Sequence, residues 1–126
     1  MKTKLENLKS QLKSAFERFK DVMEKEKDEF IRDSAIQRFE FTFEISWKAM
    51  KVYLEEKGAI NLYFPRDVIR NAAQAGIINS SKWLKMIETR NITSHIYNEN
   101  MAEKVYNELP DYIPLIKELI EDLEQD

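Results

Sequence analysis

The chain has 126 residues, of which 43% are apolar and 34% charged, and its formal net charge is −3. It contains no cysteine and one histidine, which excludes a disulfide framework, a thiol nucleophile and a His-rich metal site within one chain. The length predicts a single domain over residues 1–126. The negative charge argues against nonspecific binding to duplex DNA.

Composition also bounds the location and the fold class. No apolar run approaches the ~20 residues of a membrane span, and the segment MKTKLENLKS lacks the hydrophobic core of a signal peptide. We therefore expect a soluble cytoplasmic protein without a membrane partner. Two glycines and three prolines are too few for the frequent turns of a sheet protein, so the predicted fold class is all-α.

Two long helices are predicted in the first half of the chain. The first covers roughly residues 4–26, where apolar residues recur at intervals of three and four, and the charged run at 24–29 is predicted to be a solvated helix end and turn. The second begins at Asp33 or Ser34, with Gln37 as the partner in a capping box, and ends before Gly58.

The second helix carries two apolar stripes on nearly opposite sides. One stripe comprises Ile36, Phe39, Phe43, Trp47, Met50 and Leu54, and the other Phe41, Ile45, Ala49 and Val52. Such a helix is either central in its bundle or lies between its bundle and a second subunit. Because Phe41, Ile45 and Val52 would otherwise form an exposed apolar patch, we predict a homodimer joined through this face and the end of the fourth helix.

Three large side chains that lie on apolar helix stripes have structural interpretations. Trp47 and Trp83 are predicted to be core residues and not base-stacking platforms. Arg38 falls within the second stripe, where a buried or interfacial arginine must be paired. Pairing with an acid and contact with a ligand phosphate are the two alternatives for Arg38.

Shorter helices are predicted in the second half. The third helix starts with Pro65 at its first position and stops at Gly76. Asn79 or Ser80 caps a fourth helix, which includes Trp83 and continues into residues 90–97.

The last predicted helix starts from a capping-box pattern formed by Asn100 and Glu103. Pro110 and Pro114 should kink or split it, because each removes a backbone hydrogen-bond donor.

Residues 90–97, Arg-Asn-Ile-Thr-Ser-His-Ile-Tyr, form the one dense polar cluster of the chain. A structural interpretation is available: His95 complements the dipole at a helix C-terminus, and Arg90 pairs with a nearby acid. The alternative is chemistry or ligand binding, and the residue pattern alone leaves both open.

The pattern Arg-x4-His-x-Tyr resembles the signature of the HEPN superfamily (higher eukaryotes and prokaryotes nucleotide-binding). The helix-two segment at 36–48 and the segment at 65–76 resemble one branch of it, the nucleotidyltransferase substrate-binding proteins. This resemblance implies an up-and-down bundle of four to five helices that dimerises. It also implies pairing with a separate minimal nucleotidyltransferase, metal-independent chemistry at the bundle itself, and membership of a toxin–antitoxin module.

The resemblance also assigns roles to residues of the cluster. Related HEPN proteins are metal-independent endoribonuclease toxins, whose partner transferases adenylylate the motif tyrosine. By carry-over, Arg90, Asn91 and His95 would be the ribonuclease residues and Tyr97 the modification acceptor. The side chains that would contact a nucleotide or RNA are Arg90, Ser94, His95, Tyr97 and Arg38.

Helix geometry and acid–base chemistry constrain these roles. His95 suits a general acid or base and Arg90 suits a phosphate, but one histidine cannot be acid and base at once. A two-fold dimer would supply the second group. On a straight helix Arg90 lies about 140° from His95 and aligns with Tyr97, so convergence of Arg90 and His95 requires a helix break or a second chain. Tyr97 would then lie at the groove or, alternatively, pack on Trp83 and Met86.

Three hypotheses of function follow. The first is a substrate-binding or regulatory subunit: the chain lacks the Gly-Ser loop with spaced aspartates that would hold Mg²⁺, so nucleotidyl transfer must come from a partner. The second is a ribonuclease toxin that uses the same groove. The third is a helical adaptor that binds neither nucleotides nor RNA. No metal or cofactor is expected in any of them.

Overall fold

The computed structural model describes residues 1–125, which form six α-helices and one 3₁₀ turn with no strand in that range. The elements are α1 (Lys4–Met23), α2 (Glu29–Glu56), α3 (Pro65–Gln74), α4 (Ser80–Thr93), α5 (Glu99–Glu108), the 3₁₀ turn (Leu109–Tyr112) and α6 (Ile113–Glu124). The all-α prediction is confirmed. Asp126, the last residue of the predicted single domain, lies outside the described residues.

The centre of the bundle is α2, which contacts α1, α3, α4, α5 and α6. Phe39 of α2 lies between two aromatic neighbours, with its ring centroid 5.9 Å from that of Phe19 in α1 and 5.5 Å from that of Tyr112 in the 3₁₀ turn. Trp83 of α4 is buried beside Phe43, as predicted for a core residue. The two-sided helix of the sequence is therefore central in its own bundle. Among residues 1–125, no helix combines the length and apolar composition that a membrane span requires.

The second apolar stripe of α2 is only partly exposed. Phe41 is 58% exposed and Ile45 is half-buried, whereas Ala49 and Val52 are buried inside the chain. The expectation that Val52 belongs to an exposed patch is wrong, because other helices of the same chain surround α2. Trp47 is half-buried, and its indole Nε1 donates a hydrogen bond to Glu44 at 3.0 Å.

The start of α2 differs from the prediction. Asp28 caps the helix, and its carboxylate accepts a hydrogen bond from the amide of Ile31 at 2.7 Å. A cap at Asp33 or Ser34 is wrong because the helix already includes Arg32, whose side chain is buried against acids of α5. At the other end, Gly58 follows the C-cap with φ +99°, as predicted.

The shorter helices follow their local signals with one exception. Pro65 is the first residue of α3, Gly76 ends its C-terminal turn with φ +80°, and Asn79 caps α4. The exception is α5, which is capped by Asn98 and not by Asn100, because the Asn98 side chain accepts the amide of Met101 at 2.9 Å.

The prolines at 110 and 114 divide the last predicted helix as expected. Pro110 lies in the 3₁₀ turn, and Pro114 lies in the first turn of α6. A proline at such a position interrupts no intrahelical hydrogen bond, because the first amides of a helix have no partner within it.

Candidate functional site

The polar cluster at 90–97 spans the end of α4 and the turn beyond it. Three hydrogen bonds to carbonyls of the last turn close the helix: Thr93 Oγ1 to Arg90 O (2.6 Å), Ser94 Oγ to Asn91 O (3.1 Å) and the His95 amide to Ile92 O (2.8 Å). These bonds satisfy carbonyls that the helix end would otherwise leave free. The chain therefore leaves the helix after Thr93, and the straight helix that would align Arg90 with Tyr97 does not form.

His95 and Tyr97 form an exposed pair on this turn. The Nδ1 atom of His95 lies 3.3 Å from the hydroxyl oxygen of Tyr97, and which atom donates depends on the histidine tautomer. The two ring centroids are 6.4 Å apart and the ring planes are inclined by 52°. Tyr97 is 80% exposed, so the alternative in which it packs on Trp83 and Met86 is wrong.

Arg90 forms an ion pair with the middle of α2. Its guanidinium donates to one carboxylate oxygen of Glu44, and the other oxygen accepts the indole N–H of Trp47 at 3.0 Å. Lys48 approaches the same carboxylate at 3.9 Å. The predicted pairing of Arg90 with an acid is confirmed. Two cations thus approach one carboxylate, and each cationic side chain is at least one-third exposed.

Asn91, the residue after Arg90, and Ser94 are exposed. Arg90, His95 and Tyr97 thus belong to one end of α4, but Arg90 is directed to α2 whereas His95 pairs with Tyr97. Within one chain the structure brings His95 and Tyr97 together and holds Arg90 by a different partner.

Arg38 lies in a separate groove between α1 and α2. Its guanidinium donates to the backbone carbonyl of Arg18 at 2.7 Å and forms no ion pair with an acid within residues 1–125, so of the two alternatives the pairing with an acid is wrong. This carbonyl accepts one of the five N–H groups that a guanidinium offers. The groove has a volume of about 340 Å³ and is lined by Gln11, Ser14, Ala15, Arg18, Arg38, Phe41 and Ile45.

A buried arginine fixes the far side of the turn. Arg32 donates to Glu99 at 2.6 Å, to Asp33 at 3.0 Å and to Glu103 at 3.2 Å, and its side chain is only 5% exposed. The hydrogen bonds, that with Glu99 above all, raise the pKa of Arg32. A hydrogen bond from Lys27, together with that from Arg32, lowers the pKa of Glu103.

These contacts tie the first turns of α5 to the start of α2, directly after Tyr97 and Asn98. Sequence reasoning missed the roles of Arg32 and Glu44. Their partners are 67 and 46 residues away in the chain, beyond the reach of any local pattern.

A groove between α4 and α5 borders the same turn. It has a volume of about 460 Å³ and is lined by Lys85, Glu88, Thr89, Ile92, Met101, Lys104, Val105 and Glu108. Lys85 pairs with Glu108 across it at 3.1 Å, which raises the pKa of Lys85. No group of three or more His, Asp or Glu side chains within residues 1–125 is arranged to hold a metal ion.

The chain is similar to a described family and to solved structures. A family model described as "Nucleotidyltransferase substrate binding protein like" matches residues 4–125. A Haemophilus influenzae protein named "Probable ribonuclease HepT" is 38% identical over 96 residues, which cover 72% of this chain and 66% of the relative. The match therefore spans slightly less than two thirds of that relative's length.

Two solved structures share the fold. A Thermus thermophilus protein has a TM-score of 0.82 and 36% identity, covering 89% of this chain and 98% of its own. A Haemophilus influenzae protein has a TM-score of 0.75 and 31% identity, covering 96% and 99%. The structure of the latter is described as revealing the fold of a substrate binding domain of a nucleotidyltransferase.

Proposed function

Because the chain belongs to the nucleotidyltransferase substrate-binding protein-like family, a HEPN-like family, we propose that it is the substrate-binding subunit of a separate minimal nucleotidyltransferase. One observation carries this proposal. The hydroxyl of Tyr97 is held 3.3 Å from His95 on an exposed turn, where the active site of another protein can reach it. In this proposal Tyr97 is the group that receives the nucleotidyl moiety.

The chemistry of the transfer divides between the two proteins. The Tyr97 oxygen attacks the α-phosphorus of a nucleoside triphosphate held by the partner, a phosphorus–oxygen bond forms, and pyrophosphate leaves as the α–β anhydride bond breaks. The phenolic proton passes to His95 Nδ1 when that nitrogen is unprotonated. Arg90, part-exposed at the same helix end, supplies a permanent positive charge for the phosphate.

Mass spectrometry tests the acceptor assignment. The protein is co-expressed with the small nucleotidyltransferase that this proposal expects in the neighbouring reading frame, and the wild type should gain a nucleotidyl-sized mass that Tyr97→Phe lacks. Tyr106→Phe is the matched control, since that tyrosine is half-buried under the Lys27 ammonium group. An unmodified wild type, or a modified Tyr97→Phe, would refute the assignment.

A ribonuclease activity is the second candidate, and the break after Thr93 favours it. The break removes the straight helix that would fix Arg90 and His95 on different faces, and within one chain the two side chains still keep different partners, Glu44 and Tyr97. His95 would act on the 2′-hydroxyl or the leaving oxygen, Arg90 and the exposed Asn91 would contact the phosphate, and a second copy would supply the other histidine. A relative bears the name of a ribonuclease.

Expression without the transferase separates the two candidates. A ribonuclease toxin arrests growth and depletes RNA, and His95→Ala abolishes both effects. Unaffected cells favour the binding subunit. A nucleotidyl group on Tyr97 would add phosphate charge and bulk beside His95 and so block RNA, which would make the two proteins a toxin–antitoxin pair in the cytoplasm.

We also propose that the working unit is a homodimer. The apolar residues Phe41 and Ile45 line the groove between α1 and α2, and Ile92 is 46% exposed at the end of α4. A second copy would cover these side chains, and Arg38 would then lie at the interface. Sedimentation of a monodisperse species of ~15 kDa at micromolar concentration would contradict the dimer.

A further inference from the structure

The loop between α2 and α3 displays two aromatic rings to solvent. Tyr63 is 71% exposed and Phe64 is 67% exposed, whereas Leu62 beside them is buried in the core. Asn61 has φ +63°, and its side-chain oxygen accepts a hydrogen bond from the Tyr63 hydroxyl at 3.0 Å. Pro65 follows with its fixed φ. The rings are therefore held by a loop that is anchored at both ends.

Two arginines accompany these rings on the first turns of α3. Arg66 and Arg70 are exposed and four residues apart, so they share one face of the helix. Within residues 1–125 neither forms an ion pair with an acid. Asp67, the acid between them, accepts the backbone amide of Phe64 at 3.2 Å. The face thus presents two permanent positive charges beside two exposed rings.

This combination matches the chemistry of single-stranded nucleic acid. Unpaired bases stack on aromatic rings, and guanidinium groups follow the phosphates. A duplex offers its phosphates but keeps the faces of its bases stacked on one another. We propose that Tyr63, Phe64, Arg66 and Arg70 form a binding site for single-stranded nucleic acid.

The proposed site uses different residues from the cluster at 90–97. Tyr63 and Phe64 belong to the α2–α3 loop and Arg66 and Arg70 to α3, whereas the cluster belongs to the end of α4 and the turn beyond it. The proposal does not depend on nucleotidyl transfer to Tyr97 or on ribonuclease activity.

Fluorescence anisotropy with labelled ten-nucleotide strands tests the site. The DNA probe is oligodeoxyadenylate, which lacks the 2′-hydroxyl, and the RNA probe is oligoadenylate, measured with His95→Ala in every protein so that cleavage cannot occur. Tyr63→Leu and Phe64→Leu retain apolar surface but remove the aromatic face. Each should raise Kd by roughly fivefold or more, the lower end of measured stacking contributions.

Two further variants isolate the other features. Ile60→Ser removes a 76% exposed aliphatic side chain from the same loop and should leave Kd unchanged, because an aliphatic group offers no stacking face. Arg66→Gln with Arg70→Gln should reduce the slope of log Kd against log salt by about 0.7 for each charge removed. All variants should keep the wild-type thermal unfolding, since the altered side chains are exposed.

Four results would overturn the proposal. They are no measurable binding of either probe by the parent protein, wild-type affinity in both leucine variants, an unchanged salt slope in the arginine variant, and equal affinity for the annealed duplex forms of the probes. If Ile60→Ser weakens binding as much as the leucine variants do, the loop acts as a general apolar surface and the assignment of a base-stacking site is wrong.

Discussion

Thr89, the residue before Arg90 in α4, forms a hydrogen bond with Tyr112 of the 3₁₀ turn. The two hydroxyls differ in whether they donate or accept in this bond. The hydroxyl oxygens are 2.6 Å apart, and both residues are buried. The Thr89 hydroxyl also donates to the carbonyl of Lys85 at 3.3 Å. Because one hydroxyl has one proton and that of Thr89 is directed to the Lys85 carbonyl, we infer that Tyr112 is the donor to Thr89.

This direction predicts unequal costs for the two deletions. Tyr112→Phe removes the donor but leaves Thr89 bonded to Lys85, so the free energy of unfolding should fall by about 0.5–1.5 kcal/mol. Thr89→Val leaves the Tyr112 hydroxyl buried without an acceptor and should cost about 1–3 kcal/mol. The double variant buries no unpaired hydroxyl and should cost less than the sum of the two.

Urea unfolding followed by circular dichroism measures all three values, with equal m-values as the condition for comparing them. If Tyr112→Phe costs as much as Thr89→Val, or if the two costs simply add, the assigned direction is wrong.

Alkaline pH gives an independent check on the same residue. Burial raises the pKa of Tyr112 above its ordinary value of 10.0, so the folded protein holds this proton more tightly than the unfolded chain does. The stability that this tightly held proton contributes is fully present below pH 10.0, the ordinary pKa of tyrosine, and is lost as the pH rises through the higher pKa of the folded state. Tyr112→Phe should abolish this component, and an identical alkaline profile in the wild type and the variant would contradict it.

Three further predictions concern the rest of the bundle. Gly76→Ala should lower thermal stability by about 1 kcal/mol from left-handed backbone strain alone, because φ is +80° and no atom lies within 4 Å of the added Cβ. The hydrogen bond from Lys27 lowers the pKa of Glu103, so the stability that the ionised Glu103 contributes should be lost as the pH falls below 4.5, its ordinary pKa. A plot of unfolding free energy against pH that Glu103→Gln leaves unchanged would refute this. Arg32→Met should speed amide hydrogen exchange in the first turn of α5, where Glu99 loses its partner, more than in α1; equal changes would contradict the role of Arg32.

The helical elements were predictable where their signals act on neighbouring residues. Each such signal acts within one or two positions of the residue that carries it. The structure confirms all three as predicted: Pro65 begins α3, Gly76 ends its C-terminal turn and Asn79 caps α4. The low content of glycine and proline predicts the fold class because turns between strands depend on these residues locally.

The helix starts that were mispredicted depend on distant contacts. Asp28 and Ser34 are both good caps by residue type, and so are Asn98 and Asn100. The earlier member of each pair is used, so that α2 includes Arg32 and α5 includes Glu99, and these two residues form an ion pair. That pair joins residues 67 positions apart, which no local pattern can show.

The candidate site was found by composition, but its geometry was not. Residues 90–97 contain neither glycine nor proline, so nothing marks a helix end there. The helix ends where the hydroxyls of Thr93 and Ser94 donate to the carbonyls of Arg90 and Asn91 in its last turn. Tyr63 and Phe64 were overlooked for a related reason, because aromatic residues in a sequence are normally assigned to the core.

The ion pair between Arg90 and Glu44 connects the two candidate functions. Both side chains are about one-third exposed, and ion pairs in such positions contribute only about 0–1 kcal/mol. A phosphate bound by Arg90 would therefore displace Glu44 at little cost, and the Glu44 carboxylate would keep its contacts with Trp47 and Lys48. In the absence of ligand, Glu44 orients the guanidinium at the end of α4. The same arginine can then serve a nucleotide held by a transferase or the backbone of an RNA, because both present the same phosphate group to it.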